Sequence, residues 1–495
     1  MRRPVSAAAL FSLLALVFVA PAGASSSMAL GMDDDGLLQR VSSTTIPTAA
    51  QWQANGIHQS RLMLNWSRIA PESMSTRKPS GFDARNPNSR GYYWNDVDRA
   101  VSALGSHGIA VTLMLSTPMP LWASQVPSRR STTYKPDPKA FGDFAHAVAE
   151  RYAGRIESYI LINEPNLWQY ITPQWSCTSS SARSCTPASP AIYRALYRRG
   201  YSEVKAVDPK AAVWIGALAP HGRAGVSPTA SSLGPLAFFK GVGCVTASYA
   251  KDRSSPGCRG FQPVTTEGIA HHPHTILGSP TQPDPMPDSV NIATISRLTT
   301  VFDRMQAKGG ILNGNAAGAD QARKPLNIFI DEYGVQTNPP DKLQGLPPAT
   351  QDVYYQQVAY MMWKNPRVAQ LGLYLWKDEP QTAKKSWAWQ SGMYFASGKP
   401  KPSALSFQHP FWVDLPKNSQ TATVWGQLRA TPGAVATVQV QPSGSSKFVD
   451  LKSVTTNAQG FFAFTAKVSR KTAFRFRYGT PVKTSETRTV APHRK

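Results

Sequence analysis

Short apolar runs alternate with amphipathic stretches along most of the chain. Residues 159–162, Tyr-Ile-Leu-Ile, form an apolar run rich in β-branched side chains, the pattern of a buried strand. Proline cannot donate to a sheet ladder, so this strand must stop at Asn163-Glu164-Pro165. Residues 328–330, Ile-Phe-Ile, repeat the pattern and close on Asp331-Glu332-Tyr333-Gly334. Similar runs lie at 28–32, 61–71, 109–115 and 212–217, in the stretch around Gly268–His271, and at 372–376. Helical spacing falls between them, at 49–55, 94–106, 138–152, 190–207, 292–308 and 352–364. In the third of these, Phe141, Phe144, Val148 and Tyr152 share one face. Strands alternating with helices predict βαβ units and a parallel sheet. After His409 the period changes to two: short alternating runs are separated by Gly, Pro, Ser and Asn, which predicts an antiparallel sandwich.

The first residues interrupt this pattern. Arg2 and Arg3 precede an apolar core over residues 7–20, and Ala22-Gly23-Ala24 offers a cleavage site. Residues 1–24 therefore read as a secretory signal; the apolar run is short for a membrane anchor, the other reading. This predicts an exported chain with no membrane attachment after cleavage, and makes disulfides permissible. Four cysteines allow three pairings, and their clustering favours Cys177 with Cys185 and Cys244 with Cys258. Zinc binding is the competing reading, but no C-x-x-C spacing supports it. The remaining length is too great for one compact core, so two domains are expected, 25–408 and 409–495.

Charge adds one expectation. The chain carries 53 basic and 29 acidic residues, a net +24. Residues 411–495 hold 13 Lys/Arg against 3 Asp/Glu, a balance of +10. Such a field suits an anionic partner, such as a cell-wall polymer reached through the C-terminal domain, or serves solubility alone. No nucleic-acid-binding module is visible, and nucleic acid is not expected as a partner.

Two glutamates, each closing a buried strand, point to chemistry. One carboxylic acid can protonate a leaving oxygen while the other attacks an anomeric carbon. With Asn163 ahead of Glu164, the pair resembles the retaining (β/α)8-barrel glycoside hydrolases of the cellulase-like clan, over roughly residues 28–408. The resemblance implies an α/β fold, a TIM barrel followed by the small all-β domain, which itself resembles the immunoglobulin-like accessory domains of secreted bacterial enzymes. It implies Glu164 as acid/base, Glu332 as nucleophile and Asn163 as donor to the sugar 2-hydroxyl. Arg61, just ahead of Trp66, matches the arginine that holds the nucleophile ionised. His272 matches the histidine of a His-Pro-Tyr motif at the end of strand six, but His274 stands where tyrosine is usual. Trp376 matches a tryptophan that floors the catalytic subsite. Tyr333, beside the nucleophile, joins the residues expected to contact substrate, and Trp122, Trp168, Trp387 and Trp389 lie where they could stack on sugar rings.

The sequence reading is thus a secreted, monomeric glycosidase that cleaves a β-linked polysaccharide or oligosaccharide and uses neither cofactor nor metal. Three alternatives remain: a transglycosylase with the same residues, a non-catalytic carbohydrate- or wall-binding protein, and a metal-dependent hydrolase built on the histidines 271, 272 and 274.

Overall fold

The computed structural model describes residues 24–492 except 180, 182–183, 223–230, 276–277 and 382–387. The predicted signal, all but its last residue, and Trp387 lie outside the described residues. The chain forms two compact units, one of Ser27–Gln408 and one of His409–Lys495 together with the described residues up to Ser26.

The first unit is a closed barrel of eight parallel strands. They are β1 (Ala29–Asp33), β2 (Gln59–Asn65), β3 (Ala110–Ser116), β4 (Ser158–Leu161), β5 (Ala212–Leu218), β6 (Gly268–His271), β7 (Ile328–Ile330) and β8 (Val368–Tyr374). They pair in sequence order, and β8 closes the ring against β1. The intervening helices are α1 (Ser42–Ala54), α2 (Asn95–Ser106), α3 (Pro138–Tyr152), α4 (Ser189–Val207), α5 (Pro235–Val242), α6 (Ile295–Ala307) and α7 (Pro348–Trp363). On α3, Asp137 caps the N-terminus by accepting from Ala140, and Phe141, Phe144, Val148 and Tyr152 are all buried, as their spacing requires.

The barrel interior is packed with side chains. Met114, Ile160, Trp214, Ala217 and Ala270 form one buried cluster. Trp214 and Phe329 stack with ring centroids 3.7 Å apart. Gly268 makes that stack possible, because a Cβ there would lie 2.4 Å from the Phe329 ring.

Cys177 pairs with Cys185, and Cys244 with Cys258. No helix among the described residues is long and apolar enough to cross a membrane. The second unit is a sandwich of two antiparallel sheets. Its strands are β9 (Phe411–Asp414), β10 (Thr421–Gln427), β11 (Val435–Gln441), β12 (Val449–Thr455), β13 (Phe461–Lys467), β14 (Thr472–Tyr478), β15 (Lys483–Thr484) and β16 (Arg488–Val490). One sheet runs β9-β10-β13; the other runs β12-β11-β14-β15, with β16 also on β14. Phe411, Val424, Val438, Phe462 and Phe476 fill the space between them.

Candidate active site

The site lies beyond the C-terminal ends of the strands, where a parallel barrel presents its loops. β4 ends at Leu161, and the chain then turns sharply, with Ile162 at φ +73° and Glu164 at φ +38°. Such angles are strained for residues with a Cβ, most of all for a β-branched one. Bonds to both neighbouring strands hold the turn: Ile162 N–H donates to Leu115 at 2.7 Å and Glu164 N–H to Ala217 at 2.8 Å. Asn163 N–H donates to the Ser116 hydroxyl at 3.1 Å. Glu164 is left half-buried, facing a cavity of about 230 Å³ lined also by Leu167, His221, His274, Gln336 and Trp389.

Glu332 lies two residues past β7, because the strand stops at Ile330 rather than running on to the glutamate. It is 8% exposed, and Arg61, fully buried on β2, donates to its Oε1. The same guanidinium reaches Asp35 at 3.1 Å, with its Nε 3.7 Å from Asp33. Asp33 also accepts the Arg61 backbone N–H at 2.6 Å.

His272 is fully buried and joins the two halves of the site. Its Nδ1 lies 3.0 Å from Glu164 Oε1 and 3.6 Å from Glu332 Oε2, while Nε2 lies 3.0 Å from Asp331 Oδ2. Both carboxylates sit on one nitrogen, so these two oxygens are no more than 6.6 Å apart, the sum of the two distances. Burial by itself would strip the proton from His272, but Glu332 and Asp331 hold its pKa well above the usual imidazole range. The ring is therefore charged and donates from both nitrogens. Burial would likewise raise the pKa of Glu332, yet His272 and then Arg61 outweigh it and hold it at about 2.

His274 accepts the Gly334 N–H at Nδ1, at 3.1 Å, so its proton is on Nε2, which lies 3.7 Å from Glu332 Oε2. His271 stands apart. Its Nε2 is 2.8 Å from the Val290 carbonyl, and burial pushes its pKa down to about 3, leaving a neutral structural ring.

His272, His274 and Glu332 place possible ligand atoms within 4.8 Å of one another. A metal there would need a lone pair from His272, whose two nitrogens are both donating to carboxylates.

The other expected residues divide. Asn163 is buried, near the phenol of Tyr170. Trp168 is half-buried in the loop after Glu164. Trp389 lines the cavity, with its ring 5.1 Å from that of His274. Three expectations need correction. Trp122 packs edge-on against Trp66 and Phe82 and donates its N–H to Pro71, so its ring serves a buried aromatic cluster. Trp376 falls two residues beyond β8 and is 3% exposed. It meets Trp52 of α1 and Phe407 in edge-type contacts and donates its indole N–H to Gln51, which places it in the packed interior. Tyr333 is fully buried between His274 and Tyr355, out of reach of substrate.

Sequence reasoning missed Asp33, Asp35, Asp331 and Tyr374 as members of the site. The run Asp33-Asp34-Asp35 at the end of β1 was its one visible sign. Tyr374, at the end of β8, has its phenol pKa raised by burial and then by Glu332, and its ring meets Trp389 edge-on at 5.6 Å.

No protein-family model matches the chain, and none of the curated proteins matches it. Among solved structures it is similar to a family 39 glycoside hydrolase from Bacteroides cellulosilyticus, at 13% identity and TM-score 0.49, covering 91% of this chain and 83% of that one. A glucosidase from Croceicoccus marinus gives 9% identity and TM-score 0.47, over 91% and 95% of the two chains. An endo-β-1,4-mannanase from Thermotoga petrophila gives 10% and 0.41, over 95% and 99%. Likenesses this loose carry no functional argument, which must come from the side chains.

Proposed function

We propose that the barrel is a secreted retaining glycoside hydrolase acting on a β-linked polysaccharide or its fragments. The observation that carries this is the meeting of Glu164 and Glu332 at one nitrogen of His272. Retaining enzymes hold their two carboxyl groups about 5–5.5 Å apart, and inverting ones roughly 6.5–9.5 Å to admit a water. The facing oxygens lie no more than 6.6 Å apart, which admits the retaining separation, and a carboxylate held ionised suits a nucleophile.

Glu332 is held in the form a nucleophile needs. Glu332, with a pKa near 2, is ionised at any ordinary pH and serves as nucleophile. Its carboxylate attacks the anomeric carbon as the bond to the leaving oxygen breaks, and Glu164 gives that oxygen its proton. Glu164 then takes a proton from water, the hydroxide displaces Glu332, and the sugar leaves with its configuration retained. Arg61 and His272 keep Glu332 charged between turnovers, and His274 presents an N–H toward it. Trp389 is the aromatic wall best placed to pack on a sugar face. Residues 1–24 would deliver the chain outside the cell, where the two disulfides are stable.

The test is turnover of activated aryl β-glycosides and a polysaccharide panel. Glu332→Ala should reduce it below detection, and Glu164→Gln by about 10²–10⁴-fold on substrates with poor leaving groups. The first-formed anomer, read by proton NMR, should keep the substrate's configuration; an inverted product overturns the assignment of roles.

A further inference from the structure

We propose that the sandwich carries a groove for an acidic polysaccharide, one whose sugars bear carboxylates. The groove encloses about 520 Å³, within the range of about 300–1,000 Å³ common to ligand pockets. It opens between strands β12 and β13, the edges of the two sheets. Its floor is apolar, from Val440, Leu451, Phe464 and Phe474. Its rim is cationic, from Lys452, Lys467 and Arg470, with hydroxyls from Ser443, Thr465 and Ser469 between them. No acidic residue lines it.

Some cations of this unit are held by side chains outside the groove. Elsewhere on the sandwich Arg477 is paired with Asp450 at 2.6 Å, and Arg475 lies over the Phe448 ring beside Gln439. Among the described residues, no carboxylate lies within ion-pair reach of Lys452, Lys467 or Arg470. Lys452 is also steadied, its Nζ 5.0 Å from the centroid of the Phe464 ring. Unpaired cations above an apolar floor complement a chain that offers carboxylates on one edge and C–H faces on the other. Arg470 presents the planar fork that a carboxylate accepts.

Two other anionic partners fit less well. Single-stranded nucleic acid stacks successive bases on a row of open aromatic faces, and of the two rings lining this groove Phe474 is buried. A membrane meets a protruding surface, whereas these cations border a concavity.

Binding of the full mature chain to polygalacturonate beads tests the proposal, with cellulose beads, phosphatidylserine vesicles and single-stranded DNA as comparisons. Polygalacturonate should capture the protein at low salt and release it at high salt. Lys452→Gln/Lys467→Gln should weaken capture about tenfold, as befits two exposed ion pairs. Lys417→Gln/Lys483→Gln removes the same charge from outside the groove and should leave capture within about twofold. Equal loss in both variants would mean that the overall field binds, and would overturn the groove. So would equal retention on cellulose, or tighter binding to vesicles or DNA. Aryl glycoside turnover should be the same in both variants, so failure here and failure of the catalytic reading are told apart.

Discussion

Arg61 is fully buried, and its guanidinium meets Glu332, Asp35 and Asp33. A buried carboxylate without such a partner is driven toward its neutral form. With Arg61 and His272 in place, Glu332 is ionised down to about pH 2. The kcat/KM profile should therefore show no acid limb from the nucleophile until within about one unit of that value. Arg61→Met leaves burial to act on Glu332 with only the two histidines opposing it, so the acid limb should move up by a unit or more and kcat/KM should fall. Arg61→Lys keeps the charge but loses the fork that serves three carboxylates, and should lie between the two. An acid limb that stays put in Arg61→Met would show that the arginine holds the loop and does not tune the nucleophile. Glu164, Glu332, Arg61 and His272, all read from short motifs, lie in one cluster: Arg61 within β2 and the other three just past strand ends. Asp33 and Asp331 were not legible as members. Their roles depend on which side chains the closed ring brings opposite them, and chain position does not encode that.

At the scale of elements, the packing of β5, β6 and β7 turns on one missing side chain. Gly268 lies between Trp214 and Phe329, and a Cβ would meet Phe329 at 2.4 Å and Trp214 at 2.8 Å. Both neighbours are rigid rings in a filled interior, so Gly268→Ala should destabilise the barrel by about 1–3 kcal/mol, read as a lower denaturation midpoint. Unchanged stability would mean that the stack can slide. The strands themselves were legible because apolar runs bounded by Gly and Pro have few other uses. Their ends were less so. The fourth run breaks at a strained Ile162, a conformation that no propensity favours at a β-branched residue. β8 begins at Val368, four residues before the run at 372, which puts Trp376 past its end and against α1. α1 begins at Ser42 and runs through Pro47, which as a helix breaker hid its first half.

For the whole molecule, the two units should respond differently to acid, because different groups are held off their ordinary values in each. In the barrel, burial raises Asp34 to about 7 while burial lowers His271 to about 3. A raised carboxyl costs stability as pH rises from about 4 to 7; a lowered histidine costs stability as pH falls from about 6.5 to 3. Across the range they share the two slopes oppose and offset one another. Below about 4.5 Glu332 adds a loss, since its folded pKa is depressed and acid must protonate an ion-paired group. In the sandwich the group displaced in this range is a histidine. His409, hydrogen-bonded to the Tyr478 hydroxyl at 3.0 Å, is lowered to about 4 by burial first and then by Lys483 and Arg429. The unfolded chain gains a proton there below about 6.5 and the folded one only below about 4, so the sandwich should weaken steadily between those values. Hydrogen exchange by mass spectrometry reads the two units separately in the intact protein. Peptides from β10 and β14 should lose protection between pH 6.5 and 4, after correction for intrinsic exchange, while those from β3 and β4 hold theirs. His409→Gln removes the titrating group and should flatten the response of the sandwich alone. If β14 keeps its protection through that range in the unsubstituted chain, His409 takes up its proton without loss of packing, and the asymmetry between the units fails.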